Sequence, residues 1–243
     1  LFKPKNKQEM RKKYGLPQDV FLFGMIAANK ENPPRKGFQE ALEAFKLFSD
    51  KHPEAALFVH SQQMNPGGFP VQEYGKQLGI SSKLWFINPY IGVMKSDSHA
   101  VTEEMNCFDV LLHPSQTEGF GLTVIEAASC GIPAIVNDYS SMPEMIIEGK
   151  TGEVCKTSGQ MFTNDLSFTH RADVQDLYEK MEKLYTQLKG ENTVAKDCRE
   201  HVIKNYNIET LYTEQWVPLL SALQEELLPL TPPVQPVNIN PAG

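Results

Sequence analysis

Two glutamates eight positions apart, Glu118 and Glu126, bracket the triplet Gly119-Phe120-Gly121 in the stretch HPSQTEGFGLTVIEAASCGIPAI, residues 113 to 135. Glycines let backbone amides come close to an anion, and a helix beginning near Leu122 adds the positive end of its dipole. The amides from Gly119 through Phe120 and Gly121 to Leu122 therefore suit a phosphate. A carboxylate accepts two hydrogen bonds at once, which matches the vicinal hydroxyls of a ribose. Helical side chains lean toward the N-terminus, so Glu126 can reach a group beside that phosphate. Glu118, on the loop ahead of the glycines, faces the other side of it, where a hexose would lie. A second stretch, AANKENPPRKGF (27 to 38), puts the cations Lys30, Arg35 and Lys36 just before an amphipathic pattern. A solvated basic loop is the plainer account of it. Likewise, 30 acidic residues in 243 give on the order of one or two glutamate pairs at this spacing by chance. The sharper account requires both loops to open on one crevice.

The surrounding pattern supplies the elements that can bring this about. VFLFGMIAA (20 to 28), AALFVH (55 to 60), LWFIN (84 to 88), DVLLHP (109 to 114) and PAIVN (133 to 137) are apolar runs of strand length. FQEALEAFKLF (38 to 48) sets Phe38, Ala41, Leu42, Phe45 and Phe48 on one helical stripe; VQEYGKQLG (71 to 79) and SHAVTEEMNCF (98 to 108) read as further helices. LTVIEAASC follows the glycine loop as a helix, with Gly131 as its C′ residue and Pro133 preventing continuation. Strands apolar on both faces and alternating with helices predict an α/β fold: a doubly wound, mostly parallel, Rossmann-like sheet. In such sheets ligands bind beyond the carboxyl ends of the strands, where both loops lie. Gly149 and Gly152 mark a turn into a last short strand, after which helices are expected near 173 to 188, 191 to 205 and 207 to 228, the last kinked by Pro218. The organisation expected is a linker and short helix (1–18), the nucleotide-sugar-binding domain (19–205), a C-terminal helix (206–228) and a Pro-rich tail (229–243).

Net charge is -7, with the basic residues scattered among acids, which argues against nucleic acid as a partner. Cys107, Cys130, Cys155 and Cys198 stand far apart with no paired spacing, so neither a zinc site nor a disulfide framework is expected. They read as packing residues in a reducing, cytoplasmic setting. No apolar run reaches the length of a transmembrane segment, and the basic start LFKPKNKQEMRKKYG has no signal-peptide core.

The string from His113 to Ile135, with both glutamates, the glycine loop and the Cys-Gly-x-Pro exit from the helix, resembles the donor signature of the retaining glycosyltransferases of family 4, which have the GT-B fold. The resemblance runs from about Phe2 to Pro218 and implies the C-terminal, donor-binding half of such an enzyme, one half of a GT-B fold with C-terminal helices. It implies a nucleoside diphosphate sugar as donor, a hexose or related sugar as the group transferred, and a separate N-terminal half that binds the acceptor. By the same resemblance Glu118 contacts the donor sugar and Glu126 the ribose. Two cations hold the diphosphate: Lys36 in Arg35-Lys36-Gly37, and Lys30 six positions earlier, where the family has arginine and Asn29 replaces a glycine. Lysine is a point charge and not a bidentate fork, so the phosphate geometry there differs. Tyr90, in NPYIGVM, falls at the base-binding loop. Ser140 and Ser141 occupy positions where the family has glycines, so that segment is expected to contact the donor differently or not at all. Lys36 and Glu118 are the expected catalytic residues. No metal is expected: the Asp-x-Asp metal motif of GT-A enzymes is not found. Lone His113 reads as hydrogen-bonded structure.

A non-catalytic nucleotide-sugar-binding or interaction module on the same fold is the main alternative. A dinucleotide-dependent oxidoreductase would need a GxGxxG turn after the first strand, where Asn29 to Lys36 stand instead. A sugar-nucleotide epimerase fits the same fold, as does a glycan phosphorylase, for which no pyridoxal-phosphate lysine can be picked out.

Overall fold

The computed structural model describes residues 1–31, 34–61, 67–87, 98–163 and 166–227. The chain divides into two compact units, Leu1–Ile203 and Lys204–Gly243. In the first, β1 (Phe21–Ile26), β2 (Ala55–His60), β3 (Leu84–Phe86), β4 (Val110–His113), β5 (Ala134–Asn137) and β6 (Gly152–Cys155) form one sheet in the order β3-β2-β1-β4-β5-β6. Every pairing in it is parallel. Helices α1 (Lys7–Lys13), α2 (Phe38–Lys51), α3 (Val71–Gln77), α4 (Ser98–Met105), α5 (Leu122–Ser129), α6 (Val174–Lys189) and α7 (Val194–Tyr206) follow in chain order. The doubly wound, Rossmann-like sheet expected from the sequence is therefore present.

Its strands are buried on both faces, and their alternation sorts the core in two. Phe21, Phe23 and Met25 of β1 join Leu57, Val59, Val110, Leu112 and Ile135 beneath α2 and α6. Leu22, Ala56, Phe58, Leu111, Ala134 and Val136 pack on the other face with Met105, Phe108, Val124 and Ala127. The helical stripe read from 38 to 48 is fully buried. Phe23 meets Phe48 edge-on with ring centroids 5.0 Å apart. Each such side chain contributes about 1.5–3 kcal/mol by leaving water.

The basic start is anchored to this sheet. Arg11, on α1 and buried, pairs with Asp109 at 2.7 Å and donates to the carbonyls of Cys107, Gln18 and Val20. Sequence reasoning also missed an antiparallel hairpin, β7 (Thr157–Phe162) with β8 (Phe168–Ala172). β7 is largely solvated and so carries no apolar run to betray it.

In the second unit, α8 (Ile208–Leu211) and α9 (Val217–Leu227) are joined by a π-helical turn, Tyr212–Trp216. Where a kink at Pro218 was expected, the helix widens immediately before it. Proline cannot donate to the carbonyl four residues back and its ring crowds that carbonyl, which a π-turn relieves. Ile208, Tyr212, Trp216, Leu220 and Leu223 are exposed. The Pro-rich tail lies outside the described residues.

Candidate functional site

Strand order reverses between β1 and β4, which lie side by side with Phe23 opposite Val110 and Gly24 opposite Leu111. The loops leaving their carboxyl ends, 27–37 and 114–121, therefore start as neighbours at the switch point of the sheet. Backbone bonds then lace them together. Gln116 N–H donates to the Arg35 carbonyl at 2.7 Å, and Ser115 Oγ lies 3.2 Å from the same oxygen. Gln116 Nε2 donates to the Pro34 carbonyl at 3.4 Å.

At the seam, Gly37 takes φ 70° as the N-cap of α2. A Cβ there would overlap the carbonyl oxygen of Pro114. Gly121 likewise caps α5 with φ 95°. One backbone junction thus seats both helix starts beside the same opening.

The side chains converge there too. Lys36 Nζ forms an ion pair with Glu118 Oε1, and Ser115 Oγ donates to the same oxygen at 2.9 Å. Arg35 Nη1 lies 3.7 Å from Glu118 Oε2 and donates to the Thr117 carbonyl at 3.0 Å. Buried His113 places Nε2 3.4 Å from Glu118 Oε1 in too poor a geometry for a regular hydrogen bond, and that nitrogen has no other partner among the described residues. Expected as plain structure, His113 instead faces the carboxylate of the site.

Burial alone would raise the Glu118 carboxyl. His113 and Lys36 beside it outweigh that and hold it far below the usual carboxylate range. A depressed carboxyl adds stability above its unfolded pKa and loses it as pH falls through the folded value, so Glu118 stays ionised and paired except in strong acid.

Glu126 sits on the second turn of α5, about 6 Å along the axis from Leu122. It is half-buried, and burial raises its carboxyl above the ordinary carboxylate value. It has no hydrogen-bond or ion-pair partner among the described residues, which leaves a ready acceptor one turn behind the glycine loop.

Lys30 is exposed, and among the described residues no hydrogen bond or ion pair joins it to Glu118. Asn29 before it is buried, its side chain receiving the Phe69 N–H at 2.7 Å and donating to the Phe69 carbonyl at 2.8 Å. Where the family has glycine, this chain thus clasps a neighbouring loop. Tyr90 and its loop lie outside the described residues.

Ser140 takes φ 63°, the conformation expected of the glycine it replaces. Its hydroxyl donates to the Glu118 carbonyl and accepts the Glu118 N–H at 3.3 Å, while Ser141 Oγ donates to the Phe120 carbonyl at 3.0 Å. These bonds help hold a non-glycine residue in a sparsely populated region. The serines brace the glycine loop from behind. Nothing in the sequence alone signals this, because a hydroxyl bond across 22 residues has no local pattern.

With this geometry in place, residues 6–187 match the family model described as Glycosyl transferases group 1. The chain belongs to that family. This group 1 domain is 25% identical over 193 residues to the N-acetyl-alpha-D-glucosaminyl L-malate synthase of Bacillus anthracis, covering 77% of this chain and 47% of that protein. It spans about half the length of the curated relatives it matches. Among solved structures, the C-terminal domain of the group 1 family protein LpcC from Francisella tularensis gives a TM-score of 0.65 at 21% identity, covering 85% of this chain and 96% of that one. Anabaena HepE, solved in complex with UDP and glucose, gives 0.66 at 17% identity, covering 91% and 54%. At these identities the likeness shows the fold. The group 1 domain has no described helix long and apolar enough to cross a membrane.

Proposed function

We propose that this domain is the donor-binding half of a retaining glycosyltransferase, which transfers a hexose or related sugar from a nucleoside diphosphate sugar to an acceptor. One observation carries the reading: the Lys36 turn and the Glu118 loop open on a single site. The binding of UDP by the similarly folded HepE supports it. The acceptor would be held by a further segment of the protein, as the length of the relatives suggests. Four buried free cysteines accord with a reducing, cytoplasmic setting.

In the reaction, the bond between the anomeric carbon and the phosphate oxygen breaks. Its electron pair leaves with the nucleoside diphosphate, while the acceptor hydroxyl bonds to the anomeric carbon and passes its proton to the phosphate oxygen that leaves. Lys36, with Arg35 and the Gly119 to Leu122 amides, meets the charge that grows on the leaving phosphates, so the scheme calls for no metal. Groups fixed in place before reaction stabilise that charge without reorganising. Glu118 orients the sugar, and Glu126 receives the ribose hydroxyls.

A thermal-shift panel of UDP, GDP and ADP with their sugar conjugates tests the reading, because a ligand that binds only the folded state raises its melting temperature. At least one pair should stabilise the domain; no shift with any would overturn it.

The ribose role makes a separate prediction. Replacing Glu126 by glutamine should weaken nucleoside diphosphate binding by about 1–3 kcal/mol. The native carboxylate is the accepting form and burial raises its pKa, so affinity should fall as pH drops from neutral into the range where that carboxyl takes up a proton, and binding should release protons. In Glu126→Gln that slope should shrink to the part set by the ligand's own terminal phosphate, which titrates at about pH 6. Calorimetry across this range in buffers of different ionisation enthalpy measures both, and an equal slope in the two proteins would remove the ribose assignment.

A further inference from the structure

The cation assigned to the donor phosphates already has a carboxylate partner within the protein. Lys36 Nζ is paired with Glu118 Oε1, and both side chains are largely withdrawn from water, at 15% and 13% exposure. Ser115 Oγ donates to the same carboxylate oxygen at 2.9 Å, His113 Nε2 lies 3.4 Å from it, and Arg35 Nη1 stands 3.7 Å from the other oxygen. Ser140 and Ser141 hold the Glu118 backbone. The carboxylate cannot swing clear without giving up several partners at once.

A diphosphate arriving at Lys36 therefore meets two opposing effects. It must compete with Glu118 for the ammonium, and it brings like charge toward a fixed carboxylate in a partly dry site, where repulsion is poorly screened. A bare nucleoside diphosphate offers Glu118 nothing in return. A sugar nucleotide does, because its hexose hydroxyls can donate to the oxygen that Lys36 releases.

We propose that the Lys36–Glu118 pair is a specificity device, an ionic latch that disfavours nucleoside diphosphate and opens for a ligand carrying both a diphosphate and a hydroxylated sugar. The inference rests on the donor-site reading above and deepens it. Its consequence is directional: the latch favours intact donor over spent product, which shortens the stay of the nucleotide after transfer.

The test is the substitution Glu118→Gln, which removes the charge and keeps the shape. Titration calorimetry would compare UDP, GDP and ADP with their glucose or mannose conjugates on the wild-type and variant domains. The nucleoside diphosphate should bind the variant more tightly, by about tenfold. The sugar conjugate should gain less or lose affinity, so that the preference for intact donor shrinks. In Lys36→Ala the same glutamine substitution should give a clearly smaller gain, because there is no ammonium left to release and only the like-charge repulsion is relieved. Should the glutamine variant fail to fold, Glu118→Asp, whose shorter side chain draws the carboxylate back from Lys36, should show the same direction at smaller amplitude. Equal or weaker binding of the bare diphosphate in the variants would overturn the latch and leave the donor site standing. Failure of every nucleotide to bind either protein would overturn both.

Discussion

Replacing Gly37 by alanine should unfold or severely weaken the domain, with the melting temperature falling by about 5–15 °C. Gly37 caps α2 at φ 70°, where an L side chain costs about 1–2 kcal/mol. The added methyl would also overlap the backbone oxygen of Pro114, and forcing extra volume against atoms that cannot turn aside costs a further 1–3 kcal/mol or so. Two separate penalties thus fall on one residue. The damage is functional as well, because Gly37 sits where the Lys36 turn presses against the Glu118 loop. Relief of the clash must part the loops and draw Lys36 away from Glu118. Differential scanning calorimetry with and without nucleotide reads both effects. Gly79 gives a control: its φ is also positive, but a Cβ there meets nothing within 4 Å. Gly79→Ala should lose the backbone penalty alone, and an equal loss at the two positions would show that the seam is not tightly packed.

On the proposed function, Lys36→Ala should abolish useful catalysis, lowering sugar transfer by about 100-fold to 1000-fold, as removal of one fixed charge donor does elsewhere. In the isolated domain it should weaken a nucleoside diphosphate by about 1.5–3 kcal/mol, the range for hydrogen bonds to charged groups. The corresponding nucleoside, which lacks the phosphates, should bind both proteins alike. An equal loss for nucleoside and diphosphate would remove the phosphate role. Stability should suffer modestly too, since truncation leaves the Glu118 carboxylate in a partly dry site with one partner fewer. Arg35 and His113 remain beside it and limit that cost. Chemical denaturation separates this structural term from the loss of binding.

Much of this protein is written locally in its sequence. The stripe from Phe38 to Phe48 appears as the buried face of α2, because side-chain burial on a helix follows a 3.6-residue period whatever the helix packs against. The apolar runs became strands buried on both faces for the analogous reason in a sheet. Gly121 and Gly131, with φ 95° and 80°, bound α5 as turn chemistry predicts. The β7–β8 hairpin escaped because its exposed side chains do not alternate in polarity, and the π-turn before Pro218 because proline predicts a disturbance without its form.

What the order of residues could not decide is which loops meet. β1 and β4 lie 84 residues apart from Ile26 to Val110, and only the pairing of these two strands at the reversal of the sheet makes neighbours of the turns that leave them. The ion pair of Lys36 with Glu118 and the bond from Gln116 to Arg35 follow from that adjacency, and the bracing by Ser140 follows from the pairing of β4 with β5. Each spans tens of residues, and contacts of that range leave no period in a single sequence. Residue types and local spacing thus set the chemical groups and the elements that carry them; strand order set the distances at which those groups act on one another.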